Sequence, residues 1–136
     1  MKKFRTAAYI RLSREDGDRE ESDSVVNQKK LLQNFICARE DLELKAFYVD
    51  DGFTGTNFER PDFRRMMEDI RQGEIDCVAV KDLSRFGRDY IDTGRYLERL
   101  FPEMGVRFIS VTDQIDSSRK SYDMLLPIKN IFNEQY

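Results

Sequence analysis

RTAAYIRL, residues 5–12, is a short, largely apolar run framed by arginines, and it reads as the first strand of the chain. Comparable runs follow downstream: LKAFYVD at about 44–50, IDCVAVK at about 75–81 and VRFISVT at 106–112. Helical patterns separate them. Asp23 or Ser24 caps a helix that runs to about residue 39, with Val25, Leu32, Phe35 and Ile36 on one stripe. Pro61 suits the first turn of a helix through about Gln72, which Gly73 ends. Another helix covers about 88–104, with Leu97, Leu100, Phe101 and Met104 on a common face and Pro102 blurring its boundary. After Asp116 a loop leads into a helix from about 121. Strands of consecutive apolar residues, alternating with amphipathic helices, predict an α/β domain. Its central, mostly parallel sheet has about four to five strands, with helices on both faces.

A chain of 136 residues is one domain's worth, enough to bury roughly two-thirds of its unfolded surface. Its 40% hydrophobic content argues against disorder, while 36% charged residues leave much of the surface wet. No apolar run is long enough for a bilayer, so no membrane partner is expected. The amino-terminal stretch MKKFRTAAYIRLSRED is broken by Arg5 and Arg11 and makes a poor signal peptide, which leaves the cytoplasm as the expected address. Cys37 and Cys77 read as small buried hydrophobes. There is no histidine, which removes Ser-His and Cys-His catalysis and every histidine-containing zinc site from this chain. Two cysteines alone complete no zinc tetrahedron. The chemistry must run on Ser, Asp, Glu, Lys, Arg, Gln and Tyr, and no cofactor is expected.

In open parallel sheets ligands bind beyond the carboxyl ends of the strands. The four predicted strand ends offer Arg11 and Ser13, then Asp50 and Asp51, then Lys81 through Arg85, then Thr112 and Asp113. Arg11 and Ser13 are two apart, so continued strand geometry points them to the same side. Arg85 and Arg88 are three apart and share a face if a helix begins there. One hydroxyl and three guanidiniums then converge on one crevice. That set suits phosphoryl transfer, because a phosphodiester under attack gathers negative charge that arginine's planar fork matches. Each position also has a plain reading: a surface arginine beside a turn serine, a solvated helix face, or two turn glycines in DGFTGTNF. Gln28 falls on the apolar stripe of its helix and should point inward, either satisfied structurally or placed beneath the site. Tyr9 reads as a core aromatic on its strand. The net charge of −3 does not announce a DNA-binding surface, since phosphate neutralisation supplies most non-specific affinity.

YIRLSRED (9–16), DDGFTGTNFERPDF (50–63) and VKDLSRFGRDY (80–90) resemble the resolvase/invertase family of serine recombinases, and NIFNEQY (130–136) resembles the approach to that family's long interface helix. The match spans nearly the whole chain with the motifs in the family's order. The FTGTNFERPDF form is most similar to the large serine recombinases, the integrases and transposases of phages and conjugative transposons. The resemblance implies a resolvase-like catalytic domain over 1–136, with Ser13 as the nucleophile that forms a 5′-phosphoserine bond and frees a 3′-hydroxyl. Arg11, Arg85 and Arg88 would hold the scissile phosphate, and Arg60 matches another active-site arginine. Gln28 matches a glutamine near the nucleophile, Asp51 an acid that organises the site, and Tyr9 a residue packed behind the nucleophile strand. Ser84 stands where the small resolvases carry an aspartate, which leaves the proton donor to the 3′ oxygen unassigned.

The resemblance further implies double-stranded DNA at specific sites as partner, dimers that synapse into a tetramer, and integration or excision of a mobile element. The ending SYDMLLPIKNIFNEQY suggests a fragment whose interface helix and DNA-binding region, with any structural zinc, lie beyond residue 136. Two other readings remain: a metal-dependent nuclease or phosphatase using Asp50, Asp51, Asp82 and Asp113, and a non-catalytic domain that keeps the fold.

Overall fold

In the structure, a computed structural model, residues 3–13 and 24–118 are described. The predicted helix from about 121 and the alternative cap Asp23 lie outside them. Strand β1 (Phe4–Leu12) leads to helix α1 (Val25–Cys37), β2 (Leu42–Asp51), α2 (Pro61–Arg71) and β3 (Cys77–Val80). A short helix α3 (Leu83–Phe86) follows, then α4 (Tyr90–Gly94), a π segment (Arg95–Leu100), α5 (Phe101–Met104), β4 (Arg107–Ser110) and β5 (Ile115–Asp116).

The sheet order is β2-β1-β3-β4-β5, parallel except for the antiparallel β5, so the predicted α/β architecture is the observed one. Period-two alternation along β1 builds two cores. Ala7 and Tyr9 face Phe63, Met66, Phe86, Leu97, Phe101 and Phe108, under α2 and the helices after β3. Ala8 and Ile10 face Leu32 and Ile36 of α1, with Cys77 and Ala79 of β3. Helices therefore cover both faces.

β1 pairs with β2 on one side and with β3 on the other. Chain direction across the sheet reverses there, so the carboxyl ends of β1 and β3 form the topological switch point, the crevice where open α/β sheets bind ligands. Arg11, Ser13 and the segment after β3 stand at that place.

Local chemistry sets the helix boundaries. Ser24 caps α1, its side chain accepting from the Asn27 N–H at 3.1 Å, and Pro61 opens α2 where no amide donor is needed. α2 ends through Gly73, whose φ of 78° is the left-handed conformation that glycine adopts without penalty.

Two expectations need correction. The helix predicted from about 88 to 104 is not one α-helix, and its neighbour α3 comes before it. α3 ends at Phe86, Gly87 is extended, and α4 begins afresh behind Asp89, whose carboxylate accepts the Ile91 and Asp92 N–H groups. Farther on, Pro102 has no N–H and its ring crowds the carbonyl one turn back; the preceding backbone widens into the π segment, where Phe101 N–H reaches Tyr96 O. Met104, expected on the apolar face, ends partly exposed beyond that wider turn. Cys77 is buried, and burial pushes its thiol up to about 12, but Cys37 is exposed at the last turn of α1. Among the described residues no helix is long and apolar enough to cross a membrane.

Candidate active site

Arg11, the penultimate residue of β1, is wholly buried. Its Nε donates to Arg85 O at 3.2 Å, its Nη1 to Phe53 O at 3.1 Å, and its Nη2 to Ser84 O. One guanidinium thus ties the strand to both loops that flank the switch point. The exchange is mutual: Arg85 Nη1 donates back to Arg11 O at 3.3 Å, and Gln28 Nε2 reaches the same carbonyl at 3.1 Å. Gln28 is therefore inward, as its place on the stripe of α1 predicts, and it meets the strand two residues before Ser13. Ser13 itself is buried, immediately beyond that doubly held peptide.

The loop after β2 closes over the loop after β3. Arg88 N donates to Gly55 O at 2.8 Å. A Cβ on Gly55 would stand 2.6 Å from Arg11 Nη2 and 2.8 Å from Arg88 Cγ, so only glycine lets these two arginines approach across it. Gly87 is as tight, with a Cβ there only 2.6 Å from the Phe58 ring.

Arg85 and Arg88 do not share a helical face, contrary to their spacing. Gly87, with φ of −174°, ends α3 between them; Arg85 turns inward to Arg11 O while Arg88 is exposed on the loop. They still belong to one short segment at the same strand end.

Three carboxylates support this end of the sheet, each by separate bonds. Asp113, after β4, accepts the Leu83 N–H and the Ser110 hydroxyl, both at 2.7 Å, which fixes the start of α3. Asp82 accepts from the Ser84 hydroxyl and from Arg85 Nε at 3.4 Å. Ser84, half-buried, thus sits between Asp82 through its side chain and Arg11 through its carbonyl.

Asp50 is the third. It accepts the Asp62 N–H at 2.9 Å, the Phe63 N–H at 3.0 Å and the Tyr9 hydroxyl at 2.7 Å, satisfying the open donors at the start of α2. Asp51, the acid that the resemblance picks out, is exposed on the other side of the strand. Asp50 is the buried member of the pair, and strand alternation from Tyr48, a core residue, is the signal that marks it. Among the described residues no three acids or cysteines gather as a metal site. The carboxylates invoked for a metal-dependent enzyme are instead occupied one by one, Asp51 apart.

Arg60 stands behind all this, fully buried. Its Nε donates to Asn57 O at 3.0 Å, Nη1 to the Tyr9 hydroxyl at 2.9 Å and to Arg85 O at 3.4 Å, and Nη2 to Phe86 O at 2.7 Å. The rings of Tyr9, Phe58 and Phe63 lie 5.6, 4.7 and 5.1 Å from its guanidinium carbon. Burial lowers its pKa from the ordinary arginine value, and burial, reinforced by Asp50, raises the Tyr9 phenol far above its ordinary value. The Tyr9 phenol therefore stays neutral at neutral pH. Tyr9 packs edge-on to Phe63 at 5.7 Å as a core aromatic should; its hydroxyl, linking Arg60 to Asp50, was not legible from the strand pattern.

The family described as the N-terminal domain of resolvase matches residues 6–136. The chain is similar to the N-terminal catalytic domain of TP901-1 integrase, at 29% identity over 96% of this chain and 94% of that one, with a TM-score of 0.78. It is similar also to a resolvase-family site-specific recombinase from Streptococcus pneumoniae, at 31% identity over 98% of this chain and 89% of that one, with a TM-score of 0.73. The catalytic domain of the ISC1926 transposase TnpA, an IS607-like serine recombinase, shares the fold at 23% identity and a TM-score of 0.63, over 79% of this chain and 69% of that one.

Proposed function

The chain belongs to the resolvase family of serine recombinases, and on that premise we propose that Ser13 is the nucleophile that opens a DNA phosphodiester. The protein is a serine recombinase catalytic domain and its activity is site-specific DNA recombination. In the proposed step the Ser13 oxygen bonds to phosphorus as the bond to the 3′ oxygen breaks. The serine hydroxyl gives up its proton and the departing 3′ oxygen takes one. The phosphoserine keeps the energy of the broken bond, so the 3′ hydroxyl of a new partner strand reverses the step without ATP or metal.

Arg85 and Arg88 hold the phosphate and its extra charge, and Arg11 fixes the two loops that carry them. The observation that carries this reading is the exchange at the Arg11 peptide. Arg85 donates to the carbonyl of residue 11 while Arg11 donates to the carbonyl of residue 85, which places a guanidinium beside the strand that delivers Ser13.

The substrate is double-stranded DNA at defined recombination sites, and the working unit is a dimer that pairs into a tetramer. The natural reaction is integration or excision of a mobile element in a bacterial cytoplasm. With a net charge of −3, this catalytic domain takes most of its DNA affinity from sequence outside these residues. The test is cleavage of a recombination site by the full-length protein in EDTA. Wild type should leave protein joined to a 5′ end, and Ser13→Ala should leave none. Normal cleavage by Ser13→Ala would end the assignment.

A further inference from the structure

Arg60, like Arg11 and unlike the exposed Arg88, has nowhere left to reach. Each of its three nitrogens is bonded inside the protein, and three aromatic rings surround the guanidinium. A phosphate could reach it only by breaking up that packing.

What Arg60 does hold is specific. Its Nη1 and Nη2 bond the carbonyls of Arg85 and Phe86, the last turn of α3, directly before Gly87 and Arg88. Behind Arg60 the Tyr9 hydroxyl accepts from Nη1 and donates its own hydrogen bond to Asp50 Oδ2. Asp50 in turn is pinned by the Asp62 and Phe63 N–H groups at the start of α2. The result is a continuous buried line from the amino end of one helix, through carboxylate, phenol and guanidinium, to the backbone that presents the exposed arginine.

We propose that Asp50, Tyr9 and Arg60 form a positioning relay that sets the height of the 84–88 loop, and that Arg60 makes no contact with DNA phosphate. This rests on the reading that Arg85 and Arg88 hold the scissile phosphate. It gives Asp50 a role that the neighbouring Asp51 lacks, and it removes Arg60 from the phosphate-binding set. The hydroxyl of Tyr9 is the thinnest link, because Phe in its place keeps the ring packing and deletes only the two bonds. Small displacements at the far end matter, since transition-state stabilisation depends on donors aimed to within a fraction of an ångström.

The experiment uses full-length protein and a duplex carrying its recombination site. Non-covalent binding is measured against salt, and the rate of 5′ linkage per folded molecule is measured in a single turnover. Tyr9→Phe and Asp50→Asn should each slow linkage by about tenfold, the effect of losing one buried hydrogen bond. The double variant should be about as slow as either single one, because both cut one line. Arg60→Met should slow linkage further yet leave the slope of log affinity against log salt unchanged, whereas Arg88→Ala should lower that slope by about 0.9, the loss of one phosphate contact. A slope change with Arg60→Met equal to that of Arg88→Ala would overturn the proposal. Wild-type linkage rates in both Tyr9→Phe and Asp50→Asn would overturn it too, and these two decide if Arg60→Met does not fold. Linkage surviving in Ser13→Ala would instead sink the underlying catalytic reading, whatever the relay variants do.

Discussion

Arg60 and Arg107 are two buried arginines at opposite ends of the same sheet, and they are satisfied by opposite kinds of partner. Arg107 begins β4 at the amino edge. It takes Asp116 with two bonds of 2.9 and 2.7 Å and Asp41 with one of 2.7 Å. Those carboxylates raise its pKa, and Arg107 in turn holds Asp116 down at about 2 against its burial. Arg60, at the carboxyl edge, has carbonyls and a phenol but no carboxylate among its bonded partners, and burial lowers its pKa. The amino edge neutralises its cation and becomes a clasp. At the carboxyl edge Arg60 keeps its charge without a bonded carboxylate, while Asp82 pairs with Arg85 at 3.4 Å. The difference teaches that a buried arginine is not informative by itself; the charge of its partners is.

The largest expected effect tests the functional edge. Arg88 is exposed, so Arg88→Ala should slow 5′ linkage by roughly 10³-fold, as when a charge-stabilising arginine is removed. Its stability should stay within about 0.5 kcal/mol of wild type by denaturant unfolding. A large loss of stability with little loss of rate would reverse the roles of the two edges.

At the clasp the pattern should invert. Arg107→Met leaves Asp116 and Asp41 with only the looser, half-exposed Arg39, at 3.9 and 3.4 Å, and should cost about 3 kcal/mol in chemical denaturation. Its linkage rate per folded molecule should match wild type, and a specific rate defect would show that the edges are coupled.

A smaller effect comes from pH. Asp116 is held at about 2 in the folded state, below its unfolded value of about 3.9. A depressed carboxylate contributes stability that is fully present above the unfolded value and disappears as pH falls through the folded one. Unfolding free energy should therefore drop by about 2 kcal/mol between pH 5 and pH 2 from this group alone. Asp116→Asn should flatten that part of the profile, and an unchanged profile would remove the clasp from the account.

The smallest effect probes the contact between the two loops. Gly55→Ala puts a methyl group against a buried Arg11 that three carbonyls restrain and against the exposed Arg88. The expected cost is about 1 kcal/mol of stability, with slower linkage as the arginines part. A variant with wild-type rate and stability would mean that the approach across residue 55 is not needed.

Much of this was legible in the sequence, for definable reasons. The strand CVAV is apolar throughout because both faces are covered, so the parallel sheet could be read directly. Ser24, Pro61 and Gly73 announced helix ends through their own backbone chemistry. The inward turn of Gln28 followed from helical periodicity. The break at Gly87 was not legible, because an extended glycine leaves no mark on a spacing of three. Nor was the π segment, which is a response to Pro102 rather than a pattern of its own. The choice of Asp50 over Asp51 depends on which face of β2 meets the start of α2, and Arg60 read as one more arginine until its aromatic cage was seen. Periodicity reports which way a side chain points; it does not report which far segment meets it there.

The account stands most directly on where the DNA becomes attached. Full-length protein should be trapped on a nicked recombination site in EDTA, digested, and the nucleotide-bearing peptide sequenced by mass spectrometry. The prediction is a single adduct on the Ser13 hydroxyl, carrying the 5′ phosphate. An adduct on any other residue, or breakage that leaves no protein on the DNA, would contradict it.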